Sequence, residues 1–289
     1  MKSSAILAPA LALMLSLAAC GGEPAPGTVP GAAPSPSALP AASPTSAPSP
    51  APLWWEEISC ADLPSEPSAP EDIRPDSGAV YQLAVLPEQE ITLYGYGGSD
   101  GEAPSGILIG SGITLSHFDQ RYLPAENPAL PEVWWADFDG DGSEELAVKY
   151  FVENHAQLSV SELHIYEPDG AGWRDHPFTA EDYVEQLTAA VAVRYEPLAR
   201  RVVAEAGGFE AAFYLEDLPA PDGDPPPLSF VTQVFYRYED GHFVGVYGTG
   251  VMLEGVGAPL LFALTLGDVV YDGEGFTLEN IKLESTSGV

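Results

Sequence analysis

The run Trp134-Trp135-Ala136-Asp137-Phe138-Asp139-Gly140-Asp141-Gly142-Ser143-Glu144-Glu145-Leu146-Ala147-Val148 sets a loop of alternating acids between two apolar segments. Counted from Asp137, carboxylates fall at positions 1, 3, 5 and 9 (Asp137, Asp139, Asp141 and Glu145), with Gly142 at position 6. A hard cation such as Ca2+ takes roughly six to eight oxygen ligands. Alternating carboxylates on a tightly curled loop supply several of them, and Gly142 permits the sharp turn. Ser143, at position 7, adds its backbone carbonyl. The alternative is an acidic turn without metal, but four carboxylates crowded together repel strongly unless a cation sits among them. An EF-hand needs a bidentate acid at position 12, which here is Val148, and both flanks, Val133–Asp137 and Glu145–Val152, read as strands. The expected site is therefore a Ca2+ loop between two strands, with Asp137, Asp139, Asp141, Ser143 and Glu145 as ligands. Glu144 is the substitute should Glu145 not serve.

This stretch resembles the strand–loop–strand calcium motif of FG-GAP and VCBS-type repeats, in which an aspartate-glycine loop joins two β-strands. The resemblance covers about a dozen of 289 residues and occurs once. Position 9 is Glu145 where that motif more often has Asp. It implies a bound Ca2+ and a VCBS-like fragment of fold.

Outward from the loop, short runs of β-branched and aromatic residues alternate with Gly, Pro and Asp clusters, which predicts a mainly β (α+β) head of antiparallel hairpins and meanders over 53–289. The further strands expected are 80–86, 91–96, 106–115, 160–166, 200–206, 209–215, 230–238, 243–251, 260–266 and 276–283. A short run at 193–195 pairs as a hairpin with 200–206. One segment differs. Thr179 offers an N-cap hydroxyl, acids fill the first turn, and Tyr183, Val184, Leu187 and Val191 follow helical spacing, so a single amphipathic helix is expected over 180–190. Three turns share an aromatic, an Asp-Gly pair and a second aromatic: 166–173, 238–243 and 271–276. They read either as a degenerate repeat, as in propellers, or, preferably given their uneven spacing, as hairpins reusing one turn chemistry. Pro219–Pro227 holds neither strand nor helix. It separates two subdomains or is a surface excursion. If Trp134-Trp135 lies on a strand, its two rings face opposite sides. The preferred reading buries one ring in the core and the other under a neighbouring element; the alternative makes one a platform for sugars or peptides.

The N-terminus points to export. Lys2 precedes an apolar run, Ala5 to Ala19, too short to span a bilayer. It ends in Leu17-Ala18-Ala19-Cys20, which resembles the lipobox of bacterial lipoproteins. That resemblance implies a signal peptide over 1–19, diacylglycerol on the Cys20 thiol, and cleavage that leaves Cys20 as the mature N-terminus. In residues 21–52 only Glu23, Val29 and Leu39 are not Pro, Ala, Gly, Ser or Thr, so 20–52 is expected to be a lipidated cysteine and a disordered tether. At ~3.1 Å per residue such a spacer reaches at most about 100 Å. Acylation of Cys20 would leave Cys60 a lone thiol, read as a small hydrophobe. Lipobox, tether and acidic loop together resemble surface lipoproteins of clostridia-type bacteria, which implies a lipid-anchored location on the extracytoplasmic face of the cell membrane and brings no activity.

Composition excludes more than it assigns. With 43 Asp and Glu against 10 Lys and Arg, the chain carries a formal −33 and lacks the basic footprint of a nucleic-acid binder. Lys2 and Glu23 are the only charges before residue 53, so the whole excess sits on the head. Gly97-Gly98-Ser99-Asp100-Gly101 matches a nucleophile elbow in letters, but that motif needs a helix after it and a strand is expected instead. The five histidines show no zinc spacing. The expected function is a lipid-anchored, non-enzymatic binding or structural module with a protein or glycan ligand. The rival is an extracytoplasmic hydrolase acting on glycan or peptide.

Overall fold

The computed structural model describes residues 58, 63–73, 79–96, 106–122, 129–155, 158–170 and 172–285, all within the unit Pro50–Val289. The signal, Cys20, the tether, Cys60 and the Ser99 motif lie outside the described residues.

The expected mainly β fold with one helix is what forms. Strands β1 (Val80–Leu86), β2 (Ile91–Tyr96), β3 (Gly106–Ser111) and β4 (Thr114–Asp119) make an antiparallel meander in chain order. A second meander follows: β5 (Glu132–Ala136), β6 (Glu145–His155), β7 (Leu158–Asp169) and β8 (Gly172–Phe178). After helix α1 (Ala180–Ala190) come three strands, β9 (Ala192–Glu196), β10 (Arg201–Ala206) and β11 (Phe209–Tyr214). The chain ends in β12 (Leu228–Ser229), β13 (Gln233–Glu239), β14 (His242–Val251), β15 (Leu260–Tyr271) and β16 (Phe276–Ser285).

The second and last meanders join into one nine-stranded sheet through a short parallel pairing, Gln233 with Ser159 and Val234 with Val160. Beyond Val160 the same edge of β7 is taken by β8, from Leu163 to Asp169. The sheet therefore forks. Phe178 of β8 meets Tyr236 of β13 and Phe276 of β16 inside the fork, with ring centroids 6.0 and 4.8 Å apart.

Strand β6 contributes to both hydrophobic cores. Its even positions, Leu146, Val148, Tyr150 and Val152, pack with Leu93, Ile107 and Ile109 of the first sheet, while Ala147 packs with Ile165, Leu187, Val202 and Val234 on the other side. A strand covered on both faces reads as an unbroken apolar run, and 145–150 is buried throughout. The buried odd position Lys149 retains an ion pair with Glu132 at 2.7 Å.

Helix α1 buries Tyr183 and Leu187 in the second of these cores. Its Gln186 donates to the Phe276 carbonyl (3.2 Å) and accepts from the Leu278 N–H (2.7 Å), occupying the outer edge of β16. Those two backbone groups are thereby withdrawn from pairing with another chain. No helix among the described residues is long and apolar enough to cross a membrane.

Three expectations need correction. The run 106–115 is two strands, because Gly112 adopts φ +59° and turns the chain between β3 and β4. Strand β8 was not expected. It carries Pro177 and polar neighbours, which an edge strand tolerates because Pro there forfeits no ladder bond. The first strand of the last meander starts at Gln233 rather than 230, since the chain breaks pairing between β12 and β13. The Pro219–Pro227 excursion ends inside the same sheet, with the Met252 N–H donating to the Pro227 carbonyl at 3.0 Å. It separates no subdomains.

Candidate metal centre

Strand β5 delivers the chain into the acidic loop and β6 takes it out, with Ala136 paired to Glu145 across the base. The loop curls because its own side chains collect backbone donors. Asp137 accepts from the Gly140 N–H (2.7 Å) through Oδ1 and from the Gly142 N–H (3.1 Å) through Oδ2. Asp139 Oδ1 accepts from Asp141 N–H at 2.9 Å, and Asp141 Oδ1 from Ser143 N–H at 2.6 Å. Gly140 and Gly142 have φ of +79° and +95°, a region side chains rarely adopt. A carboxylate oxygen that accepts one N–H keeps a second lone pair, so the curl orients the acids without exhausting them.

Asp137, Asp139 and Glu145 each bring one carboxylate oxygen within 4.8 Å of the others. Glu145 is buried at 2% exposure and accepts from the Phe138 N–H at 2.8 Å. Burial pushes its carboxyl above the ordinary range; the Phe138 N–H opposes this, and Asp139, Asp137 and Asp141 reinforce it. Asp141 and Ser143 belong to the curl, and the Asp141 carboxylate is not one of the three that converge. Glu144, the substitute ligand, turns the other way and accepts from the Trp135 indole N–H at 2.8 Å.

The alternation of the strands explains this parting. Trp134 faces the Phe243 and Tyr238 rings, at 5.1 and 5.9 Å, whereas Trp135 packs on the opposite core and meets Trp173 edge to face at 6.0 Å. Glu145 follows the first side and Glu144 the second. Phe138 anchors the loop, its ring 5.5 Å from Phe243 and 5.9 Å from Tyr238.

Sequence reasoning missed the wall that closes over these acids. A Cβ placed on Gly273, in the β15–β16 turn, would stand 2.8 Å from Asp139 Oδ2 and 3.8 Å from Glu167 Oε1. Tyr271 donates to Glu167 at 2.7 Å, and burial followed by that carboxylate pushes its phenol far up. The Asp272-Gly273 signal marked a turn, but nothing local tells which loop a turn will face.

Three close carboxylates, all hard oxygen donors and one of them desolvated, suit a hard divalent cation. No protein-family model matches the chain, and no curated protein or solved structure is significantly similar to it.

Proposed function

We propose that the chain is an exported, lipid-anchored surface protein whose β head is a non-enzymatic binding module braced by Ca2+ at the Asp137–Glu145 loop. The observation that carries the calcium reading is the convergence of Asp137, Asp139 and Glu145 within 4.8 Å around a buried carboxylate. Asp141 and the Ser143 carbonyl complete the donor set in this reading. A cation there would neutralise acids that otherwise repel across the junction of β5 and β6. It would act on the fold rather than on a reaction.

His164 and Asp175, the best-formed imidazole–carboxylate pair among the described residues (2.8 Å), have the histidine buried at 4% exposure, beyond reach of a substrate. The lipid anchor rests on the lipobox alone, and Cys20→Ala is expected to release the protein from the membrane fraction.

Thermal unfolding of the full chain tests the metal. At 100-fold its dissociation constant, a ligand specific to the folded state adds ~2.7 kcal/mol. Millimolar Ca2+ should therefore raise the midpoint over chelator, and Asp139→Ala should abolish the difference. Equal midpoints with and without Ca2+ would overturn the proposal.

A further inference from the structure

A cleft of about 520 Å3 opens where the turns of the first sheet approach the central meander. That volume falls within the roughly 300–1,000 Å3 of small-ligand sites. Trp135 and Trp173 line it together with Glu144, Glu88, Gln89 and Thr114. The residues arrive from five separate places: the β1–β2 turn, the start of β4, strand β5, the acidic loop and the start of β8.

The two indoles pack partly on the core between the sheets and turn the remainder to the cleft. Their planes meet at 82°, one forming a floor and the other a wall. Such a corner cannot sandwich a flat heterocycle. It fits a puckered ring that offers C–H groups to an aromatic face and polar groups at its rim. The rim has partners: the Glu144 carboxylate, held by the Trp135 N–H, the Gln89 amide and the Thr114 hydroxyl. Charge narrows the class further. Glu88 and Glu144 line the cleft of a molecule carrying −33, which repels phosphates, sulfates and uronates. An extended peptide is normally taken by an open strand edge or by alternating side-chain pockets, and this cleft is walled by turns.

We infer that the Trp135–Trp173 cleft binds uncharged saccharides. This rests on the reading of the head as a binding module and supplies its ligand class. Because Glu144 and Glu145 are neighbours, the metal loop and the cleft share one short segment, and cation binding would steady the cleft's carboxylate.

The test is calorimetric titration of the detergent-solubilised full chain, in millimolar Ca2+, with cellohexaose, xylohexaose, mannohexaose and N-acetylchitohexaose, and with oligogalacturonate as the acidic arm. At least one neutral oligosaccharide should bind, with Trp173→Ala weakening it tenfold or more and Trp173→Phe retaining part of the affinity. Thr114→Val, which keeps side-chain shape, should weaken binding without moving the thermal midpoint. Absence of binding across the neutral panel, preference for oligogalacturonate, or unchanged affinity in both Trp173→Ala and Thr114→Val overturns the inference. Failure here with an intact Ca2+-dependent midpoint shift overturns the ligand class and leaves the metal reading standing. Chain shortening of a bound sugar, seen by chromatography, would confirm the cleft and overturn the non-enzymatic role.

Discussion

His164 sits between the rings of Tyr150 and Tyr166, with centroids 5.1 and 5.9 Å away, and its Nδ1 meets both oxygens of Asp175 at 2.8 and 3.1 Å. Burial alone would lower its pKa, but the hydrogen bond to Asp175 on β8, with the Glu162 carboxylate 3.8 Å away on its own strand, outweighs burial and holds it above the ordinary value. A raised folded-state pKa stabilises the fold fully below the unfolded value near 6.5 and loses that contribution as pH rises through the folded value. The thermal midpoint should therefore fall as pH rises above about 6.5, and both His164→Gln and Asp175→Asn should flatten that fall. A parallel slope in both variants would refute the assignment. Gly207 and Gly208 form the β10–β11 turn with φ of +59° and +78°, but only a Cβ on Gly207 would strike the Ile281 carbonyl, at 2.5 Å. Both alanine variants should cost more than about 1 kcal/mol through backbone strain, with Gly207→Ala clearly the worse in denaturant melts.

Among the elements, α1 is the most self-sufficient. Asp182 at its third position accepts from the Thr179 N–H at 2.8 Å and from the Thr179 hydroxyl at 3.0 Å, closing the first turn. Asp182→Ala should cost ~1 kcal/mol in urea unfolding, with the same change at exposed Glu185 near neutral. That helix was legible to the residue, because its cap and its spacing are local. The acidic loop was legible for the same reason: acids and glycines at fixed intervals dictate a curl whatever surrounds it. Strand β8 was not. Arg174, Asp175, His176 and Pro177 carry no alternation, and the segment is a strand only because the edge of β7 is there to pair with. Gly112 hid a turn within an apolar run for a related reason, since a single positive φ leaves no compositional trace. The Trp135–Trp173 cleft lay furthest from view. Glu88, Thr114, Trp135 and Trp173 are near neighbours only after two sheets have packed, and no interval along the chain encodes that.

At the scale of the whole molecule, −33 on the head is a standing repulsion. Monovalent salt screens it over a Debye length of about 10 Å at 0.1 M, so the midpoint should rise between low and moderate NaCl. Ca2+ should exceed NaCl of equal ionic strength by the margin of a specific site, and Asp139→Ala should bring the two curves together. The forked sheet has a kinetic meaning as well. Each meander is built from neighbours along the chain, whereas the bridge of Ser159–Val160 to Gln233–Val234 must close a span of more than seventy residues to gain two residue pairs. Closing such a span costs entropy before it returns any contact, and local contacts form faster. The meanders are thus the early-forming bodies and the bridge is a late clasp. Under hydrogen exchange the Ser159 amide, which donates to the Thr232 carbonyl at 3.0 Å, should open at lower cost than the amides of β6 and β14 on either side of it.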